Sequence, residues 1–491
     1  MSKVYLIGTG PGDEELMTLK AVRVLKKCTA VMYDRLAGGN VLKYLKDDCK
    51  VFYCGKEPGC HYKTQDEINE MLVFLAKSGH VVGRVKGGDP YVFGRGGEEA
   101  LRLREENIDF EVIPGVTSAI SVLSYAGIPA THRGLSQSFH VITGMSASKL
   151  KIDWSSIATV EGTLMFLMGL ENIEFITKRL IECGKTESTP CGVIMRGTTS
   201  KQRKVIGTLK DIAVKSREVG LKSPCIIVVG EVVNLSESLN WYEKMPLFGI
   251  NVCVTRPKEQ AGGMAESLKD LGAQVTEINS IKIENSSENL NDYIEKLSTY
   301  EYVVFTSVNA VNVFFDYLMD ISFDIRKIKA SFAVIGHATE KALKDRGLIA
   351  DIEAKEFVGE GLLEKLKTVV KAGDNILIPC SNGARSYLSD ELRNLNCIVD
   401  VAHIYKPVKG EIKSEKAFED VDVVIFTSPS TVRNMIEIVG LEGIKEKLSL
   451  AIGPITYKEL KNHGIEAYIS EEHCEQGIIN KLIELKKKEI L

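Results

Sequence analysis

Short apolar runs alternate with amphipathic stretches along almost the whole chain. Lys3–Gly8 (KVYLIG) reads as a strand, Glu15–Cys28 (ELMTLKAVRVLKKC) as a helix with one apolar face, and Ala30–Asp34 (AVMYD) as a strand. Ile68–Gly79 (INEMLVFLAKSG) reads as a helix and His80–Gly88 (HVVGRVKGG) as another strand. That rhythm predicts an α/β chain with largely parallel sheets. It pauses once: Asn234–Ile250 (NLSESLNWYEKMPLFGI) is polar, then carries a tryptophan and a proline, and has no period. A new strand, NVCVTRP, follows at once. The pause places a first domain at 1–235, a linker at 236–249 and a second domain at 250–491.

The second domain repeats itself. Tyr302–Leu318 (YVVFTSVNAVNVFFDYL) matches Val423–Val439 (VVIFTSPSTVRNMIEIV), and Ala330–Ile352 matches Leu448–Ile469. Each copy is a strand, a Gly or Thr-Ser turn, then a helix. Two such units predict a two-lobed domain with a cleft. Duplication that merely enlarged the scaffold would explain the cores, but not a Thr-Ser pair at the strand end both times.

Composition narrows the functional classes. A chain of 491 residues that is 44% apolar and 26% charged holds several ordinary globular domains. Its net charge of −4 gives no global field to recruit nucleic acid or an acidic membrane, so an anionic ligand needs a local basic patch. The opening MSKVYLIGTG lacks the charge-then-apolar layout of a signal peptide, and no run of 18 apolar residues occurs, so neither export nor a membrane span is expected. Eleven scattered cysteines, an odd count, favour reduced thiols in the cytoplasm. Cys49, Cys54, Cys60 and His61 lack C-x-x-C spacing, and no metal site is expected.

Three glycine-bearing turns carry the chemistry of the first domain. The first, in IGTGPGDEELMTLKA (Ile7–Ala21), is G-x-G-P-G rather than G-x-G-x-x-G, and Pro11 lacks the N–H that a pyrophosphate would want. What remains is a tight turn at the carboxyl end of a strand, where ligands of open α/β sheets lie. The second is KGGDP, where Gly87 and Gly88 let the main chain approach a ligand, Asp89 precedes a proline that aims it, and Arg84, Lys86 and Arg95 surround it. The third is VIPGVTSAI (Val112–Ile120), where Thr117 and Ser118 open a helix. Each alone is compatible with a plain turn; three in one domain point to a ligand cleft.

With YDRL (Tyr33–Leu36), Gly55–Lys56, VKGGDPYVFGRGGEE and YAGIPATHRG (Tyr125–Gly134), these segments resemble, in order, the motifs of uroporphyrinogen-III C-methyltransferase over Lys3–Val233. The resemblance implies two α/β lobes with S-adenosylmethionine folded into the cleft between them, and a homodimer formed through this half. By position, Pro11, Gly87, Gly88, Asp89, Val92, Thr117, Ser118, Met168 and Gly197 are implied to line the S-adenosylmethionine site, Asp34 to accept a proton and Lys56 to donate one. The chemistry agrees. A methyl sulfonium disperses its charge as the methyl leaves, and a shaped, largely dry cleft suits it. After a pyrrole carbon attacks, a proton must leave carbon, which calls for a placed carboxylate. The plainer role for Asp34 is pairing with Arg35 or capping a turn. The substrate's eight carboxylates are assigned to Arg84, Lys86, Arg95 and Arg133, unless these are ordinary surface charges.

The second domain offers no Ser-His-Asp set, no metal cluster and no spaced carboxylate pair; hydroxyls, backbone turns and one tyrosine stand at its strand ends. Its TRP…QA opening, paired FTS turns, paired IG-x-x-T turns and that tyrosine resemble uroporphyrinogen-III synthase across Asn251–Lys486. The resemblance implies two lobes joined by a two-stranded link, the middle one at 283–403 and the other made of 250–282 plus 404–486. Its implied substrate contacts are Thr306, Ser307, Asn309, Thr427, Ser428 and Ser430, with backbone donors at Gly336 and Gly453. Tyr405 is implied to assist departure of a hydroxyl group, the plainer role being a half-buried strand residue. Pro379–Asn382 (PCSN) departs from an Arg-Gly turn common in relatives and leaves Arg385 as the nearby cation.

Together the resemblances imply a cytoplasmic bifunctional enzyme. The second half cyclises hydroxymethylbilane to uroporphyrinogen III with ring D inverted; the first methylates that product twice with S-adenosylmethionine, giving precorrin-2 on the siroheme or cobalamin branch. No nucleic acid, membrane or metal is expected to take part. Two alternatives stay open: methylation of a later corrinoid, and a second half that binds a tetrapyrrole without catalysis.

Overall fold

The computed structural model describes residues 3–37, 40–55, 64–145, 152–255, 258–354, 359–410 and 416–491. The chain forms two compact units, Met1–Asn279 with Ile412–Leu491, and Ser280–Glu411.

The larger unit holds three sheets. The first runs β3-β2-β4-β1-β5 and is parallel throughout: β1 (Lys3–Gly8), β2 (Ala30–Tyr33), β3 (Lys50–Tyr53), β4 (Val81–Lys86) and β5 (Phe110–Ile113). Its order puts β4 and β1 at the centre, so the glycine turns that follow them emerge side by side, with that of β5 adjacent. The second runs β6-β7-β10-β8-β9, from β6 (Phe139–Thr143), β7 (Thr163–Leu167), β8 (Pro190–Met195), β9 (Arg203–Thr208) and β10 (Cys225–Val229). Only β6 and β7 pair in parallel there; β7–β10, β10–β8 and β8–β9 are antiparallel. The expected parallel rhythm fails at this point because β8 and β9 are joined by a short turn with no crossover helix, which forces an antiparallel pair.

The third sheet begins with β11 (Asn251–Val254) and β12 (Gln274–Glu277). The chain then builds the smaller unit from β13 (Ile281–Asn285), β14 (Tyr302–Phe305), β15 (Ser331–Ile335), β16 (Ile352–Ala354), β17 (Asn375–Ser381) and β18 (Ile398–Lys409), in the order β13-β18-β17-β14-β15-β16. Antiparallel pairing of β13 with β18, and a Gly410 N–H donated to Ser280 O at 3.0 Å, tie the entry of this unit to its exit; its edges are therefore wider than 283–403. Strands β19 (Val423–Phe426), β20 (Leu448–Ala451) and β21 (Ala467–Ile469) complete the third sheet as β12-β11-β19-β20-β21, all parallel.

Two local expectations change. The helix expected over Glu15–Cys28 is a 3₁₀ turn at Glu14–Leu16, a break at Met17 and a helix at Leu19–Leu25. Asp13 and Thr18 each cap the segment after them, the Thr18 hydroxyl accepting from Ala21 N at 3.2 Å, and two caps so close restart the helix. The segment 236–249, which lacks period, is nonetheless packed. Leu247 and Tyr242 are buried, and the Tyr242 ring meets that of Tyr125 edge-on with centroids 4.7 Å apart.

Candidate active sites

The three glycine turns of the first half are stitched together by backbone. Gly88 N–H donates to Gly10 O at 2.6 Å, and Gly10 N–H returns to Gly88 O at 3.3 Å. The third turn is tied by Asp89, whose Oδ2 accepts from Gly115 N at 3.0 Å while Oδ1 accepts from Tyr91 N at 2.8 Å. A Cβ on Gly115 would lie 2.2 Å from Gly88 O, and one on Gly8 would lie 2.6 Å from the same oxygen. Only glycine permits this convergence. Gly88 itself, at φ +66°, faces open space: a Cβ there would meet nothing nearer than Ser118 N at 3.9 Å. Beside it the helix Ser118–Tyr125 starts; the Thr117 hydroxyl accepts from Ala119 N and the Thr117 carbonyl from Ile120 N and Ser121 N, so the Ser118 amide is the one beside Gly88. The open face of Gly88 next to that amide fits a small polar group of a ligand such as S-adenosylmethionine.

The remaining implied contacts sit on strained loops. Met168 lies at φ +57°, and Arg196 and Thr198 flank Gly197 at +43° and +67°; Phe93 and Arg95 stand at +52° and +58°. Non-glycine residues in this region cost of order 1–3 kcal/mol each, and they concentrate where geometry is held for a ligand. Gly197 has a packing role, since a Cβ there would lie 2.3 Å from Val122 Cγ1. Val92 closes the turn, its N–H reaching Asp89 O at 3.3 Å, and Pro11 is half-buried. Lys56, Cys60 and His61 lie outside the described residues.

The basic residues separate into two kinds. Arg84 and Lys86 are not surface cations. Both are 4% exposed, on one face of β4, and both donate to Oε1 of the fully buried Glu99, at 3.1 and 2.8 Å. Two like charges two residues apart on a buried strand require a carboxylate between them, and the helix Gly96–Glu105 delivers it. Their assignment to the substrate's carboxylates is therefore corrected: they underlie the site. Burial, then the Arg84 charge, pushes the Lys86 ammonium below its ordinary range. Burial also opposes the charge on Arg84, but Glu99 and Asp34 outweigh it and raise its pKa. Arg95 and Arg133 are exposed. Arg95 holds Glu98 through two N–H···O bonds, at 2.9 and 2.6 Å, and Arg133 has no ion pair among the described residues.

Asp34 joins the two layers. Its Oδ1 accepts from Leu36 N and Ala37 N at 3.1 and 3.3 Å, so it does cap a turn. Its Oδ2 faces Arg84 Nη2 at 3.4 Å. The described partner is thus Arg84 on β4, brought over by the β2–β4 pairing.

In the Ser280–Glu411 unit, Ser307 caps the helix Val308–Asp320, its Oγ accepting from Ala310 N at 3.2 Å and lying 2.8 Å from the Tyr405 hydroxyl. Tyr405 is buried, at 6% exposure, on β18. Burial pushes its phenol above the ordinary range, while hydrogen bonds from the Ser307 and Ser381 hydroxyls pull the other way. No local pattern assigns Ser381 a role. It belongs to the PCSN segment, and a register shift between β17 and β18 at Cys380/Ser381 sets it against Tyr405. Asn309 and Thr306 are half-buried beside Ser307, and Arg385 is exposed.

The matching turn lies in the other unit. Ser428 caps Pro429–Val439 in a capping box with Thr431, and its Oγ is 2.9 Å from that of Ser430; Thr427 is half-buried beside it. Ser307 and Ser428 share one backbone conformation, φ/ψ of −160°/155° and −160°/160°. Gly336 at φ +75° opens one helix, and Gly453 caps another that starts at Pro454.

Fold and sites define two α/β modules, one with converging glycine turns and one with paired hydroxyl-capped strand ends. The family model for tetrapyrrole (corrin/porphyrin) methylases matches residues 3–213, and that for uroporphyrinogen-III synthase matches 263–480. A porphyrin biosynthesis protein HemD of Ruminiclostridium josui is 35% identical over 492 residues, covering 98% of either chain. A uroporphyrinogen-III C-methyltransferase of Priestia megaterium is 46% identical over 238 residues, covering 48% of this chain and all of that one. A uroporphyrin-III C-methyltransferase from Thermus thermophilus, solved with S-adenyl homocysteine, is 39% identical and covers 48% of this chain and 99% of that one, with a TM-score of 0.42. The chain belongs to the family of porphyrin-biosynthesis proteins that fuse a uroporphyrinogen-III C-methyltransferase to a uroporphyrinogen-III synthase.

Two outcomes follow from this geometry. Gly115→Ala forces backbone apart at the Gly88 contact, so it should lower stability by about 1–3 kcal/mol and abolish measurable S-adenosylhomocysteine binding, read by thermal melting and calorimetry. Glu99→Gln strands Arg84 and Lys86 in the core and should cost about 3–5 kcal/mol by denaturant titration; a loss below about 1 kcal/mol would remove Glu99 from this role.

Proposed function

We propose that the second half cyclises hydroxymethylbilane to uroporphyrinogen III with inversion of ring D, and that the first half then methylates this product twice, giving precorrin-2. The observation that carries the methylation is the backbone seam of Gly10, Gly88 and Gly115, which leaves an open face only at Gly88. S-adenosylmethionine is the methyl donor, and when bound it supplies an electrophilic methyl group. Gly88, Thr117 and Ser118 hold it, Asp89 fixes their loops by accepting from Tyr91 N and Gly115 N, and the loops of Met168 and Gly197 close the wall. Asp34 takes the proton that leaves the methylated carbon. Among the described residues its Oδ1 accepts from two backbone donors and its Oδ2 from Arg84 alone, at 3.4 Å, so Oδ2 is the oxygen with room to accept. Lys56 returns a proton. Arg95 and Arg133, both exposed, meet substrate carboxylates, Arg giving two-pronged contacts.

For the cyclisation, Ser307 Oγ accepts from Ala310 N and is hydrogen-bonded to Tyr405, so a Tyr405 proton passed to Ser307 releases the Ser307 proton outward. That route lets a buried phenol assist a departing hydroxyl group. Thr306, Asn309, Thr427, Ser428 and Ser430, with backbone donors at the glycine turns, hold the substrate's carboxylates with neutral groups.

Consecutive steps on one chain raise the local concentration of an easily oxidised intermediate. The protein works in the cytoplasm, feeds the siroheme or cobalamin branch, and pairs as a homodimer through its first half, where Phe74 and Leu101 are 67% and 69% exposed on adjacent helices. Among the described residues no helix is long and apolar enough to cross a membrane.

The test is anaerobic. Given hydroxymethylbilane alone, the protein should yield the type III isomer above the spontaneous type I background, and S-adenosylmethionine should then give a doubly methylated product. Type I alone would reduce the second half to a binding module. Asp34→Asn should slow methylation about 10²–10⁴-fold and spare cyclisation, while Tyr405→Phe should slow cyclisation at least about 10²-fold and spare methylation. The same loss of both activities in each variant would reflect misfolding and count against these roles.

A further inference from the structure

Two loops assigned above to the donor site, Gly10–Leu16 and Arg196–Ser200, are joined to each other: Asp13 N–H donates to Thr198 Oγ1 at 3.1 Å, and Tyr125 Oη donates to Asp13 Oδ2 at 2.7 Å. Neither loop is closed off by the first half alone. Behind the first lies a cavity of about 250 Å³ lined by Asp13, Tyr125, Trp241, Tyr242, Lys269 and Gln274, so apolar packing does not hold that side of the loop.

Part of what holds it comes from the second half. Lys269, at the end of the helix Lys258–Asp270, donates to Glu14 Oε1 at 2.6 Å. Lys43 donates to the same oxygen at 2.8 Å and to Glu277 Oε1, on β12, at 2.6 Å. Glu14 is 8% exposed and both lysines 19%, so these contacts are shielded from water far more than ordinary surface pairs. Burial opposes the charge on Lys43 and Lys269, but the carboxylates outweigh it and hold both ammonium groups above their ordinary range. The other loop is pinned from β12 too: Gln274 Oε1 accepts from Ser200 N at 3.1 Å and Ser200 Oγ at 3.0 Å. Lys201 Nζ reaches Asp422 Oδ1 at 3.1 Å.

We propose that Lys269 and Gln274, residues of the synthase half, are positioning residues of the methyl-donor site, so that the fused half is a structural part of the methyltransferase. This rests on the reading of the glycine cleft as the donor site. The strained Arg196–Thr198 stretch persists only if its surroundings over-determine it, and Ser200 is where Gln274 does so. Fusion therefore does more than tether two enzymes. It lets one half set the donor affinity of the other, at a coupling of the size common between linked sites.

The experiment uses the full chain and S-adenosylhomocysteine as probe, with affinity measured by calorimetry. Gln274→Ala and Lys269→Met should each weaken binding about 5- to 10-fold, raise KM for S-adenosylmethionine by the same factor and leave methylation kcat and type III output nearly unchanged. Lys269→Arg should bind like the parent, as should Lys210→Ala, which removes an exposed pair with Glu187. Glu14→Gln weakens the pairs to both Lys269 and Lys43, so it should weaken binding at least as much as Lys269→Met, and the two changes together should cost less than their sum. Unchanged affinity in both Gln274→Ala and Lys269→Met would overturn the proposal while sparing the donor-site reading. A parent chain that binds no S-adenosylhomocysteine would overturn both.

Discussion

The first half depends on the close approach of three backbone turns at the carboxyl ends of β4, β1 and β5. A reciprocal Gly10–Gly88 hydrogen-bond pair and the Asp89 tie to Gly115 satisfy the polar groups of the turns, and the missing Cβ atoms let them meet. Everything else in the cleft is set from that seam. It aims the open face of Gly88 at the start of a helix, and it puts Asp89, whose neighbours suggested a ligand contact, into a structural bond. A carboxylate that accepts from two backbone amides organises the loop.

Beneath the seam is a charge cluster with little water. Glu99 neutralises Arg84 and Lys86, and Arg84 in turn faces Asp34. Buried ions of this kind contribute little net stability, but breaking one partner is expensive, so the cluster holds its geometry firmly. Asp34 is therefore placed by two backbone amides on one oxygen and a rigid guanidinium on the other. The second half is built on hydroxyls instead. Its duplicated turns carry serine caps of one conformation, and its tyrosine is buried, which raises the phenol above its ordinary range, and is oriented by hydroxyls.

The comparison of the two halves also shows how position changes the meaning of a residue type. Glu98 and Glu99 are adjacent in sequence. Glu98 stands in solvent with Arg95, while Glu99 is turned inward by the helix to meet β4. Ser381 sits in a segment that looked like a departure from the expected turn, yet its hydroxyl supports Tyr405.

The sequence alone determined the α/β rhythm, the position of the glycine turns, the duplication in the second half and the paired Thr-Ser caps, because these are local: strand and helix periods, φ preferences and caps are written within a few residues. Arg84 and Lys86, two apart on one strand, read as substrate contacts or surface charges, and nothing local marked a buried partner. Only the tertiary structure decided that Glu99 is that partner, that Asp89 ties Gly115, that Ser381 reaches Tyr405 through a β-bulge, and that the strands of the second sheet run mostly antiparallel. Each of these is a contact between segments far apart in the chain, where strand order and register choose the neighbour and no local pattern can.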